Sequence, residues 1–142
     1  MDKNFAVGID IGGTNTKFGV VNRNGEIIEQ DRLLTNAYEQ VEDFIDALHQ
    51  LLMPMINRAG GVDAFLGIGM GAPNSNIYTG TIEYAPNLKW KGIIHIARLM
   101  QEKISLPTKL TNDANAAAMG EMLFGCAKDC QQPHCHNCLA CF

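Results

Sequence analysis

Two stretches of the sequence carry residue types suited to chemistry on a phosphate and on a hydroxyl. The first is Asp10-Ile11-Gly12-Gly13-Thr14-Asn15-Thr16-Lys17. Its paired glycines permit backbone shapes closed to other residues and let successive N–H groups approach an anion, and the Thr14 hydroxyl adds a donor. Asp10, beside that cradle, could hold Mg²⁺ through water, because Mg²⁺ takes one or two carboxylates together with phosphate oxygens. Lys17 could add positive charge or point outward from its strand. The plain alternative is a hairpin with a glycine turn. No Gly-Lys-Ser/Thr ending is present, so the loop is not a Walker A motif.

The second stretch, Thr111-Asn112-Asp113-Ala114-Asn115-Ala116-Ala117-Ala118-Met119-Gly120-Glu121, puts an Asn-Asp pair ahead of an alanine-rich segment. One of the pair is explained as a helix N-cap; a cap does not require both. Transfer of a phosphoryl group to an alcohol needs a carboxylate that accepts the hydroxyl proton, and Asp113 fits that role. Asn112 offers a donor and an acceptor in one side chain, which suits neighbouring sugar hydroxyls.

These groups need a scaffold, and the hydrophobic pattern supplies one. Asn4 to Asp10 reads as a buried strand, Thr16 to Val21 as a second, and Ile27 to Leu34 as a third after the Asn24-Gly25 turn signal. Val41, Phe44, Ile45, Leu48, Leu51, Leu52 and Met55 follow helical spacing between Tyr38 and Ala59. Pro54 should kink or end the regular part of that helix, and Gly60-Gly61 should close it. Ala64 to Met70 reads as a strand, Gly71 to Trp90 as a long loop with short strand pieces, and Ile93 to Ile104 as a helix. Pro107 to Leu110 reads as a strand and Asn112 to Phe124 as a helix. Three antiparallel strands followed by alternating helices and strands predict an α/β fold with a mixed sheet.

The chain has 142 residues, 46% of them hydrophobic and 18% charged, with a formal net charge of -4. One globular domain is the expected reading. No run of Lys or Arg forms a basic stripe, so nucleic acid is not an expected partner. No segment has the length of a signal-peptide core or a membrane span, and a cytoplasmic protein is expected.

Asp10 to Lys17, Gly69-Met70-Gly71-Ala72-Pro73, Ala85-Pro86-Asn87-Leu88-Lys89-Trp90 and Asn112 to Glu121, in this order, resemble the ROK (repressor, open reading frame, kinase) family of bacterial glucokinases and related hexose kinases. The resemblance covers residues 4–125 and implies the N-terminal, ribonuclease H-like lobe of an actin- and hexokinase-type ATPase. It implies ATP and Mg²⁺ as cofactors and a hexose as substrate. Asp113 would activate the sugar 6-hydroxyl, Asn112 and Asn87 would hold sugar hydroxyls, and the Pro73-Asn74 turn would line the same cleft. Asp10, Gly12, Gly13, Thr14, Asn15 and Lys17 would border the ATP phosphates. Family members often carry Gly where this chain has Asn74. Trp90, by its apolar neighbours, reads as a core anchor. A homodimer is left open. ROK repressors place a helix-turn-helix ahead of this lobe; a first strand at about Asn4 leaves no room for one, so direct repression is not expected.

The family continues into a second lobe with a further phosphate loop, an adenosine site and additional sugar contacts, none of which has a counterpart in these 142 residues. The chain by itself is therefore expected to be inactive or nearly so. All five cysteines lie in the tail, residues 126–142. Cys135, Cys138 and Cys141 have spacing that could bind Zn²⁺ or an iron–sulfur cluster. The preferred reading is a change of reading frame after about Gly125, because one nucleotide later the same codons permit a strand of the Asn-Leu-Ile-Val-Ile-Thr type that the family shows next. No metal site is assigned.

Overall fold

The computed structural model describes residues 3–111. The Asn112 to Phe124 segment, the pair Asn112 and Asp113, and the cysteine-rich tail lie outside the described residues.

Strands β1 (Phe5–Ile11), β2 (Asn15–Asn22) and β3 (Ile27–Leu34) form the antiparallel start that the sequence predicts, β1 running one residue past Asp10. Asn22 tightens the β2–β3 turn, its Oδ1 accepting the N–H groups of Asn24 and Glu26 at 3.0 Å each. β4 (Phe65–Gly71) adds parallel to β1, and β8 (Thr108–Thr111) adds parallel to β4. The sheet order is β3-β2-β1-β4-β8. Ala6 to Ile9 are buried at consecutive positions, as are Gly67 to Gly71, which means that both faces of the central strands are covered. The fold is the mixed α/β lobe expected from the sequence.

Helix α1 (Val41–Arg58) begins three residues later than Tyr38, because Thr35–Ala37 form a 3-10 turn and Tyr38 to Gln40 stay extended or turned. It lays Phe44, Leu48, Leu52 and Ile56 into the core, each 0% exposed. Pro54 does not end it. An interior proline costs about 3 kcal/mol. Met55 and Ile56, just beyond it, are buried and at ~1.5–3 kcal/mol each hold the last turn on the sheet. Closure follows at Gly60 and Gly61, whose φ values of 121° and 89° lie where only glycine sits at ease, with Gly61 N–H donating to Ile56 O at 2.8 Å.

The predicted Ile93 to Ile104 helix is corrected at its start. Ile93–Ile94 form strand β7, which pairs antiparallel with β6 (Thr81–Glu83), and β6 pairs with β5 (Ser75–Asn76). β-branched Ile93 and Ile94 suit a pleated ribbon once β6 offers a partner. The helix proper, α2, spans Ile96–Ile104 and ends on left-handed Ser105. It touches α1, and Lys103 Nζ lies 2.7 Å from Asp46 Oδ1 across the join.

Arg58, at the end of α1, donates from Nε to Glu29 Oε1 of β3 at 3.0 Å and pairs with Oε2 as well. The hydrogen bond from Arg58 holds the Glu29 carboxyl below the usual carboxylate range. A depressed carboxyl contributes stability above its unfolded pKa and loses that contribution as pH falls through the folded value. Both side chains are solvent-accessible, so the contribution is small. Glu29→Gln is expected to melt slightly below the parent at pH 7 and to merge with it in acid; a gap that widens on acidification would contradict this assignment.

Candidate functional site

The carboxyl ends of β1, β4 and β8 lie side by side. Asp10 is in register with Gly71, and Gly71 with Thr111. Ala72 N–H donates to Thr111 O at 3.1 Å. Two loops therefore leave the sheet at this end, the glycine turn after β1 and the Ala72-Pro73-Asn74 turn after β4, beside Thr111 of β8. Asn112 and Asp113 follow Thr111 directly in sequence. In open α/β sheets ligands bind outside the carboxyl ends of the strands, and here those ends carry the predicted motifs.

The glycine turn is tied on both sides. Gly12 N–H donates to Asn15 O at 3.0 Å, and Thr35 N–H donates to Thr14 O at 2.8 Å. Beneath it, the buried hydroxyls of Thr16 and Thr35 are 2.6 Å apart. The 3-10 turn that precedes α1 is thereby held against the loop.

Asn87 is brought to the same place by the packing of its own loop. Ala85 and Leu88 are each 2% exposed, and Leu88 N–H donates to Ala85 O at 3.4 Å. With these two anchored in the core, Pro86 and Asn87 project outward. Trp90 is the core anchor predicted: its ring lies 4.6 Å from that of Phe44, and its Nε1–H donates to Tyr38 O at 3.0 Å. Asn87 presses against Gly13 so closely that a Cβ on Gly13 would stand 2.8 Å from the Asn87 carbonyl oxygen and 3.0 Å from its Cβ. Gly13 is the residue that permits the contact.

Gly13, Thr14 and Asn87 line an open cleft of about 840 Å³ together with Asn36, Glu39, Gln40, Pro86, Leu88, Lys89 and Lys91. Asn36, Glu39, Gln40 and Lys91 carry no local pattern in the sequence, and Lys89 belongs to the Ala85 to Trp90 motif without a role read for it; the tie between Thr35 and Thr14 brings the first three in. Asp10 and Lys17 are Cα partners across β1 and β2, so their side chains share one face of the sheet. Ile9, Ile11 and Phe18, on the other face, join the core cluster with α1. Neither Asp10 nor Lys17 is among the residues that line the cleft at Gly13. Exposed Lys17 borders a hollow with Gln30, Asp31 and Arg32. Asn15 is half-buried at the start of β2, Pro73 is half-buried and Asn74 is exposed.

The described residues hold no cluster of three or more His, Cys, Asp or Glu side chains. Asp10, near the carboxyl end of β1 beside the glycine turn, offers a carboxylate of the kind Mg²⁺ takes together with phosphate oxygens. No helix among the described residues is long and apolar enough to cross a membrane.

Known proteins share this fold. A glucokinase of Halalkalibacterium halodurans is 32% identical over 130 residues, covering 88% of this chain and 38% of that protein. A xylose repressor of Caldicellulosiruptor bescii is 33% identical over 121 residues, covering 84% of this chain and 30% of the repressor. The crystal structure of a ROK family glucokinase from Streptomyces griseus, in complex with glucose and AMPPNP, matches with a TM-score of 0.66 at 30% identity, covering 85% of this chain and 37% of that one. The chain therefore spans about a third of the length of these relatives. The ROK family model matches residues 6–135, and the chain belongs to the ROK family.

Proposed function

We propose that the protein to which this lobe belongs transfers the γ-phosphoryl group of MgATP to the 6-hydroxyl of a glucose-like hexose. The observation that carries the reading is the meeting of the glycine turn, the Pro73 turn and the β8 end at one sheet edge, with Asn87 seated on Gly13. MgATP supplies the phosphoryl group and neutralises charge on it. The chain's own residues do the rest. Gly12, Gly13 and Thr14 border the phosphates, with Asn15 beside them and Asp10 and Lys17 toward the metal and its charge. Asn87 and Asn112 hold sugar hydroxyls, the Pro73-Asn74 turn walls the cleft, and Asp113 accepts the 6-hydroxyl proton. A cytoplasmic protein, where ATP is supplied, follows from this reading.

A coupled assay for ADP release tests it. The full-length protein is expected to release ADP with glucose or a near relative, and the 142-residue chain alone to be inactive or nearly so. Robust sugar-dependent turnover by the isolated chain would contradict the division of the site between two lobes. Absence of turnover with every hexose, with sugar binding retained, would favour a second reading: a sugar-binding regulator, supported by the xylose repressor relative. Retention of the full-length protein on operator DNA at physiological salt would identify that second case.

A further inference from the structure

The loop that presents Asn87 is held at its far end by Trp90, and its near end is held differently. Asn74 and Tyr84 are two of the three non-glycine residues with positive φ among the described residues, at 51° and 54°. A bulky residue such as Tyr adopts that conformation only where its surroundings enforce it. The side-chain amide of Asn74 reaches the carbonyl oxygens of Glu83 at 3.2 Å and of Tyr84 at 3.1 Å. Both partners are acceptors, so the NH₂ end must face them, and its two protons are both used. Glu83 N–H returns a bond to Asn74 O at 2.9 Å, and Tyr84 N–H donates to Gly92 O at 2.9 Å. Ala85 is buried on the next step, and Pro86 and Asn87 follow.

We infer that Asn74 is a positioning residue: its amide clamps the Glu83 and Tyr84 carbonyls, holds Tyr84 left-handed, and thereby sets the turn that seats Asn87 on Gly13. Asn74 acts on the hexose through Asn87. The kinetic arm of this inference rests on the hexose-kinase reading; the structural arm does not.

Two variants separate the clamp from the backbone. Asn74→Gly accepts the same φ without a donor, and Asn74→Asp tolerates that backbone but sets a carboxylate against two carbonyls. In the 142-residue chain, amide exchange at Tyr84 and Leu88 is expected to accelerate at least ~10-fold in both variants, with Val7 to Ile9 unchanged, as local opening requires. Unchanged protection at Tyr84 and Leu88 in Asn74→Gly would overturn the clamp, whatever the protein's activity. In the full-length kinase, Asn74→Gly is expected to raise the hexose KM ~10-fold with kcat within about 2-fold, and to add little to Asn87→Ala, as coupled residues do. Additive losses in that double variant would overturn the route through Asn87. Loss of binding confined to one deoxy-hexose partner would do the same and make Asn74 a direct ligand. If the full-length parent turns over no hexose, the kinase reading fails, and the exchange rates alone decide the clamp.

Discussion

Asp113→Asn in the full-length protein is expected to lower kcat by roughly 10²-fold or more while leaving hexose affinity close to that of the parent. The substitution keeps the shape and hydrogen-bonding reach of the side chain but removes its capacity to take a proton. A residue that only capped a helix would tolerate the change, because Asn and Asp cap about equally well. Normal turnover in the variant would therefore return Asp113 to a capping role. A fall in kcat with unchanged KM identifies an interaction made in the transition state. Thr111, the last residue of β8, is in register with Gly71 of β4, and Gly71 with Asp10 of β1; Asp113 follows Thr111 by two residues in sequence.

Gly13→Ala carries the second large effect. The new methyl group would meet the carbonyl oxygen of Asn87 at 2.8 Å, a distance that real Cβ atoms essentially never show, so one of the two loops must move. The Asn87 loop is pinned by Ala85, Leu88 and Trp90, and the glycine turn by its bonds to Asn15 and Thr35. Neither yields freely. A shift of about 1 Å in a positioned group can cost ~10²-fold in catalysis, and a loss of that order in kcat/KM is expected here, with hexose and ATP both affected. Full activity in the variant would show that the contact between the loops is not used. A melting temperature near that of the parent would separate this outcome from general unfolding.

Much of the lobe was legible because its signals are local. The three opening strands follow from alternation and from the Asn24-Gly25 turn, and β3 begins and ends where the pattern placed it. The apolar stripe from Val41 to Met55 identified α1 because a helix repeats every few residues and its buried face can be counted along the chain. The glycine turn stood out by its paired glycines, and the Pro73 and Asn87 loops stood out through the resemblance to the ROK family.

The errors lie where a distant partner made the decision. Ile93 and Ile94 belong to a strand because β6 pairs with them, and nothing within their own window distinguishes that from the first turn of a helix. At Pro54 the sequence left a kink or an end open, and α1 continues through it with Met55 and Ile56 buried, a gain that no propensity scale for proline contains.

By itself the amino-acid sequence determined the order of elements, the family and the chemical character of the loops, since periodicity and turn chemistry act over a few neighbouring residues. The tertiary structure decided what those loops meet. It seated Asn87 on Gly13, drew Asn36, Glu39 and Gln40 into the cleft, and put Asp10 and Lys17 on the opposite face of the sheet from α1. It also committed the Asn74 amide to backbone carbonyls of Glu83 and Tyr84. Such contacts join residues remote in sequence, and they arise from sheet register and close packing, which the chain acquires only when it folds.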